Sequence, residues 1–245
     1  FVKLFDRFNS LSILIIGDVM IDAYWWGGVN RISPEAPVAV VAVNEKENRL
    51  GGAANVALNI AAMGAKPVLC SVVGDDFQGR ELCRLMQEQN MDTKGIVYSS
   101  KRPTTVKTRI IGNKAQMLRI DEETDANISL EEEKIFIEKI ESIINSEKIN
   151  AIIFQDYDKG VITEEVIART TEIAKRKNIP ITVDPKKRNF TAYRNVDLFK
   201  PNLKELKEGL KIDFDSVDRD ILVEAALLLH HKQRIDKVFI TLSER

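Results

Sequence analysis

The sequence predicts an α/β fold in which helices cover both faces of a mostly parallel central sheet, with a small second sheet set apart from it. Three observations carry this. Short, continuous apolar runs end in Gly-Asp, Asp or Ser, as strands buried on both faces do. Helix-like amphipathic segments separate these runs, and such alternation implies parallel strands joined by right-handed crossovers. Two β-rich stretches, about residues 37–45 and 104–121, fall outside that rhythm.

Taken in order, Phe1, Leu4, Phe5, Phe8 and Leu11 recur at helical spacing and predict an amphipathic helix docked on the domain. Residues 13–16 form the first buried strand, ending at Gly17-Asp18. The same pattern returns at 68–73 before Gly74-Asp75-Asp76, at 151–154 before Asp156, at 181–183 before Asp184-Pro185, and at 238–242 before Ser243. Helices are expected at 52–63, 78–89, 129–145, 164–177 and 219–233; Ser129 and Glu132 make a capping box for the third. Residues 37–45 alternate as a strand, and 104–111 with 116–121 read as a hairpin turning at Gly112-Asn113-Lys114. These two segments are expected to form a lid sheet with one apolar face, which a second subunit would cover.

Composition bounds the function. The 245 residues are 44% apolar and 30% charged, ordinary for a folded domain. Lys and Arg number 36 against 37 Asp and Glu, so the net charge of -1 creates no field that recruits nucleic acid or an acidic membrane. Any anion must be captured locally. Cys70 and Cys83 show neither metal spacing nor a disulfide framework, which fits a reducing cytosol. No apolar run approaches a membrane span, and no secretory signal opens the chain. A cytoplasmic protein is expected. The chain stops at Arg245, just after a strand-like run, so truncation at the C-terminal end is expected as well.

Ligands of such sheets collect at the carboxyl ends of the strands, where Asp18, Asp22, Asp75, Asp76, Asp156, Asp184 and Ser243 lie. Strand-end Asp also caps helices, so each has a structural alternative. Gly51 and Gly52 let the backbone turn sharply and let a ligand approach, and the helix that follows offers unpaired amides. Asn55 and Asn59 share one face of that helix; the alternative is a plain Gly-Gly turn before an amphipathic helix. Lys107 and Arg109, with Lys114 and Arg119 nearby, place cations on the hairpin that either clamp a phosphate or protect an edge strand. Asp156 and Lys159 at a strand end offer an acceptor for sugar hydroxyls and a cation for phosphate, or a simple turn. Asn202 and Glu205 face the same way, either orienting hydrated Mg²⁺ or forming a helix cap. His230 and His231 lie near a helix C-terminus. No Gly-x-Gly-x-x-Gly follows the first strand, and no Walker A motif occurs.

Together, Gly17-Asp18-Val19-Met20-Ile21-Asp22, Gly51-Gly52-Ala53-Ala54-Asn55, Val73-Gly74-Asp75-Asp76-x-x-Gly79, Val183-Asp184-Pro185-Lys186 and Pro201-Asn202-x-x-Glu205 resemble the ribokinase-like (PfkB) carbohydrate kinases from Leu11 onward. Arg31-Ile32-Ser33-Pro34-Glu35-Ala36-Pro37-Val38, Gln116-Met117-Leu118-Arg119-Ile120-Asp121 and Asp156-Tyr157-x-Lys159-Gly160 look like the heptose 7-phosphate kinases of ADP-heptose synthesis within that family. The resemblance implies a ribokinase-like α/β/α sandwich with a β lid, and transfer of the γ-phosphoryl of ATP to the anomeric hydroxyl of D-glycero-D-manno-heptose 7-phosphate for lipopolysaccharide precursors.

On this resemblance Asp22, Gly52 and Asn55 hold sugar hydroxyls, and Arg109, Asp156 and Lys159 contact sugar or phosphate. Asp184 and Lys186 line the nucleotide side, Asn202 and Glu205 organise Mg²⁺ and the ATP phosphates with Glu205 at the metal, and Ser243 starts a phosphate loop. A homodimer through the lid strands and a native adenylyltransferase domain are implied partners. The family's catalytic Asp sits in a Gly-Ala-Gly-Asp loop that these residues do not contain, and it is expected beyond Arg245. No catalytic residue is therefore assigned within the segment, which alone is expected to be inactive. A kinase of another sugar, or a non-catalytic sugar-phosphate-binding module, are the alternatives.

Overall fold

The computed structural model describes residues 2–212 and 219–242, with side chains from Phe5 onward. After a short helix α1 (Val2–Phe8), strand β1 (Ser12–Gly17) leads into two long strands, β2 (Val19–Ile32) and β3 (Ala39–Gly52). Then follow α2 (Ala53–Ala62), β4 (Lys66–Gly74), α3 (Phe77–Glu88) and β5 (Ile96–Ser99). The hairpin β6 (Val106–Gly112) and β7 (Ala115–Glu122) precedes α4 (Leu130–Ser146), β8 (Ala151–Gln155), α5 (Glu164–Arg176) and β9 (Ile181–Asp184). Last come β10 (Leu198–Phe199), α6 (Leu203–Leu210), α7 (Arg219–Gln233) and β11 (Lys237–Val238).

Among the described residues, the main sheet has the order β11-β10-β9-β8-β1-β4-β5, and each of its strand pairs is parallel. Strand alternation divides its core into two layers. Leu14, Ile16, Val68, Phe154 and Val183 point to one face and pack under Phe136 and Ile140 of α4, Val166 of α5 and Leu229 of α7. Ile13, Ile15, Leu69 and Val73 point to the other, under Ala53, Ala54 and Ala57 of α2 and Leu82 and Met86 of α3. The continuous apolar runs exist because both faces are covered. Phe8 and Leu11 pack on the second layer as expected, but Phe5 stays half exposed.

The second sheet has the order β3-β2-β6-β7. It is more extensive than the sequence suggests: the segment after Asp18 is a strand of 14 residues, and β3 runs on to Gly52 because it pairs antiparallel along nearly all of β2. Bulges at Trp26/Gly27 and Val29/Arg31 absorb the register changes of so long a ribbon. The β6–β7 turn has positive φ at both Asn113 and Lys114, the type I′ geometry that matches the twist of the strands. β2 begins buried and becomes exposed toward Ile32, and β7 is exposed throughout, so the sheet projects from the main body with one edge open.

Helix ends follow their caps. Asp76 accepts from the Gly79 amide at the start of α3, and Ser129 and Glu132 form the expected reciprocal capping box. The strand expected at 238–242 is shorter: β11 covers Lys237–Val238, and Thr241 makes a lone bridge to Asn202. Cys70 and Cys83 are free and buried, with burial pushing the Cys70 thiol up to about 12. His230 Nδ1 lies 2.7 Å from the Ile235 carbonyl oxygen, just past the end of α7.

Candidate functional site

The parallel strands fix where polar groups gather. Gly17, Gln155 and Asp184 are register partners at the carboxyl ends of β1, β8 and β9, and β2 rises from the same edge. On β2, Asp22 receives the guanidinium of Arg109 from β6 at 2.6 Å; both side chains are about three-quarters buried. The Arg109 guanidinium also lies over the Tyr24 ring, its carbon 5.2 Å from the ring centre. The parallel register that sets Tyr24 opposite Arg109 produces this geometry.

Against this pair lies the Gly51-Gly52 backbone. A Cβ on Gly51 would sit 2.4 Å from Asp22 Oδ2, so only glycine lets the carboxylate rest there. Gly52 has φ 58° and ψ -134°, and a Cβ there would be 2.4 Å from the Asp18 carbonyl oxygen. Both glycines end β3 rather than form a free turn. The Ala53 amide is used by the Asp18 carbonyl, but no side chain caps α2, leaving first-turn amides open to a ligand. Asn55, in that first turn, is exposed. Asp22, Gly52 and Arg109 are thus brought together, with Asn55 one turn into the helix that Gly52 opens.

The loop after β8 is held from within. Asp18, almost fully buried, accepts the backbone amides of Tyr157 (2.8 Å), Lys159 (3.2 Å) and Val161 (3.1 Å). Burial raises its carboxyl above the ordinary range against the pull of those amides. Asp156, expected among the sugar contacts, instead faces the interior. It is 1% exposed, with Oδ1 taking the Asp158 amide and Oδ2 taking Asn189 Nδ2 (3.1 Å) and the Tyr193 hydroxyl (2.9 Å). Burial pushes its carboxyl up to about 6 despite these donors, and the nearby Asp18 charge adds to the rise. Its partners anchor the loop that presents Lys159. The Lys159 ammonium is within 2.7 Å of Glu123, and its carbonyl accepts from Arg102.

On the far side of β8, Asp184 Oδ2 pairs with Lys200 at 3.0 Å, and Gln155 Nε2 lies 3.4 Å from the same oxygen. Asn202 and Glu205 form a reciprocal capping box at the start of α6: each backbone amide donates to the other's side chain at 2.8 Å. The other Glu205 oxygen takes the Lys186 ammonium; burial lowers the Lys186 pKa, but this partner outweighs it and raises it. The helix-cap reading of Asn202 and Glu205 therefore holds in the fold. Among the described residues no group of three His, Cys, Asp or Glu could hold a metal ion. A hydrated Mg²⁺ carried mainly by nucleotide phosphates would need no such all-protein cage. Ser243 and Arg245 both lie outside the described residues. The phosphate loop expected to start at Ser243, and the catalytic Asp expected beyond Arg245, therefore have no counterpart among the residues brought together here.

Sequence reasoning passed over Glu123, Arg102 and Lys200, whose partners are distant in the chain. The acidic run Asp121-Glu122-Glu123, opposite Lys107 in a hairpin, is the one signal that could have flagged Glu123.

A parallel sheet with helices on both faces, a projecting second sheet and a Gly-Gly helix start beside an Asp–Arg pair are the features of a carbohydrate kinase of the ribokinase type. Residues 10–245 match the family described as pfkB family carbohydrate kinase, and the chain belongs to it. Among curated relatives, the bifunctional protein HldE of Wolinella succinogenes is 42% identical over 233 residues, covering 95% of this chain and 48% of the relative. That of Syntrophotalea carbinolica is 36% identical over 239 residues, covering 98% and 48%. The chain spans about half the length of the curated relatives it matches. Among solved structures, phosphofructokinase-2 from Escherichia coli in complex with fructose-6-phosphate superposes with a TM-score of 0.73 at 18% identity, covering 95% of this chain and 74% of that one. Arabidopsis thaliana ribokinase complexed with ribose and ATP gives 0.66 at 13%, covering 95% and 72%. These likenesses speak to the fold alone.

Proposed function

We propose that this chain is the sugar-binding and phosphate-binding part of a kinase that transfers the γ-phosphoryl of ATP to the anomeric hydroxyl of D-glycero-D-manno-heptose 7-phosphate. The observation that carries the reading is the Asp22–Arg109 pair lying against Gly51-Gly52 at the uncapped start of α2. A carboxylate, a guanidinium and open amides offer acceptors and donors for adjacent sugar hydroxyls within one corner. The heptose in particular is what residues 31–38, 116–121 and 156–160 suggest by their resemblance to heptose 7-phosphate kinases, and identities of 36–42% to HldE proteins over nearly the whole chain support a sugar kinase of the ribokinase type.

In this reading Asp22, Gly52, Asn55 and Arg109 orient the acceptor, Lys159 lies toward its anionic end, and Asp156 acts indirectly by fixing the Lys159 loop. Asp184, Lys186, Asn202 and Glu205 line the nucleotide side, with Ser243 at the start of its phosphate loop. Glu205 and Lys186 would face hydrated Mg²⁺ and the ATP phosphates, whose charge the metal offsets during transfer. The work of these residues is positioning and electrostatic stabilisation. The general base would come from a Gly-Ala-Gly-Asp loop such as the family resemblance implies, and activity is assigned to the full-length protein, since this chain spans about half the length of its curated relatives. There an adenylyltransferase domain is the expected further partner, in the cytoplasm. The second sheet serves as a lid, and the exposed Ile32, Met117, Leu118 and Ile120 on it, with Val38 beside it, supply apolar contacts for a homodimer. Sedimentation showing only monomer for the full-length protein would remove the dimer.

The test is a coupled ADP-release assay on the full-length protein with Mg²⁺-ATP and heptose 7-phosphate, fructose 6-phosphate or ribose. Turnover selective for the heptose, lost in Asn55→Ala, is the expected result. Preference for another sugar would reassign the acceptor. Sugar binding with no ADP release above the ATP-only rate would make the protein a binding module.

A further inference from the structure

Where the second sheet meets the main body, a cluster of charged side chains adjoins the Asp22–Arg109 pair. Lys107 Nζ donates to Asp121 Oδ2 at 3.2 Å and to Glu123 Oε2 at 2.7 Å. Glu123 uses its other oxygen to accept from Lys159 Nζ, also at 2.7 Å. Arg119 occupies Asp121 from the outer side at 2.8 and 2.9 Å. The two lysine side chains are only 16% and 18% exposed. Lys107 is the register partner of Asp22, and it lies two residues before Arg109 on the same face of β6. One carboxylate, from the coil that follows β7, therefore joins a lid strand to the loop after β8, next to the acceptor corner.

This arrangement has the form of an occupied anion site. Two ammonium groups converge on a single group that offers each of them one oxygen, as a phosphate monoester would. Burial pushes the Glu123 carboxyl up, but the two lysines outweigh it and hold it below the ordinary value, so it is an anion at neutral pH. We propose that Lys107 and Lys159 form the subsite for the phosphate of a phosphorylated acceptor, and that Glu123 is a placeholder carboxylate which this phosphate displaces. The inference rests on the reading of Asp22 and Arg109 as acceptor contacts.

The placeholder has two consequences. Without ligand, it keeps two poorly hydrated cations from repelling each other and from losing their hydrogen bonds. With ligand, a phosphate dianion replaces a monoanion between the same two cations and gains from the extra charge, whereas an unphosphorylated sugar gains nothing by expelling it. Glu123 is already partly exposed at the lid base, so the displaced side chain has water to turn into. The cluster thereby selects phosphorylated acceptors over their parent sugars.

The test is calorimetric binding of heptose 7-phosphate and of the unphosphorylated heptose to the full-length protein and its variants, with thermal unfolding confirming that each variant is folded. In the wild type the phosphorylated sugar binds more tightly. Lys107→Met and Lys159→Met each weaken the phosphorylated sugar about tenfold and the parent sugar less than about twofold, the loss of one charge-assisted contact. Glu123→Gln tightens the phosphorylated sugar about fivefold and leaves the parent sugar unchanged, and Glu123→Asp restores wild-type selectivity. If Glu123→Gln weakens both sugars alike, Glu123 is a structural latch and the placeholder is wrong. Equal wild-type affinity for the two sugars would also overturn the subsite while leaving the acceptor reading intact. Wild-type protein that binds neither sugar would overturn both.

Discussion

Replacing Asp156 by Asn tests the buried frame behind the Lys159 loop through pH. In the folded protein burial pushes this carboxyl up to about 6, against an ordinary value of 3.8. A raised carboxyl means that the folded state holds its proton more tightly than the unfolded state. The stabilisation is fully present below pH 3.8 and is lost as pH rises to 6 and beyond. The gap corresponds to about 3 kcal/mol when complete, and to about 2 kcal/mol between pH 4.5 and 7.5. Asp156→Asn cannot ionise, while its carbonyl can still accept from Asp158 and its amide can face the Tyr193 hydroxyl oxygen. Whatever constant cost the amide brings, the wild-type-minus-variant stability should fall by about 2 kcal/mol across that window. Asp18, whose carboxyl is raised in the same direction, is present in both proteins and largely cancels. Urea titrations followed by Trp25 and Trp26 fluorescence at several pH values measure the difference. A flat difference, or one that grows with pH, would refute the argument that burial outweighs the three donors around Asp156.

Three further outcomes follow from local geometry. Gly52→Ala should lower stability by at least ~2 kcal/mol in thermal unfolding, because φ 58° is strained for alanine and its Cβ would meet the Asp18 carbonyl. Asn202→Ala removes one half of a capping box and should destabilise the protein by about 1 kcal/mol. It should also raise the KM for ATP in the full-length enzyme, because Glu205 loses its orientation beside Lys186. Cys70 should resist thiol reagents in the native protein and react only under denaturant, since it is fully buried with its thiol pushed up to about 12.

The legibility of the fold depended on whether the signal was local. Five helices were readable because amphipathic spacing and caps such as Ser129 lie within a few residues of one another. Their observed ends, for instance Leu130–Ser146 for an expected 129–145, differ by a residue or so. The main strands were readable because burial on both faces demands unbroken apolar runs. The stretch from Val19 to Ile32 was not read as one strand, because its polar and glycine positions serve a bulged ribbon whose register is set by β3. The site divided along the same line. Asp22 and Asp156 look alike in sequence, yet Tyr193 and Asn189 turn one inward while Arg109 holds the other beside Gly51. Nothing near Glu123 announces Lys159 as its partner, since folding alone brings them together. The Asn202–Glu205 pair shows the converse: a helix cap and a nucleotide-side carboxylate are the same local pattern in sequence, and the described geometry shows the cap, with the second Glu205 oxygen on Lys186.

The proposed function turns on which oxygen of which sugar receives the phosphoryl group. The most direct measurement is phosphorus NMR of the product made by the full-length protein from Mg²⁺-ATP and D-glycero-D-manno-heptose 7-phosphate. A new phosphate resonance coupled to the anomeric proton is expected, with the original 7-phosphate signal retained, and loss of that product in Asp22→Asn. A phosphate on any other carbon, or full product formation by Asp22→Asn, would contradict it.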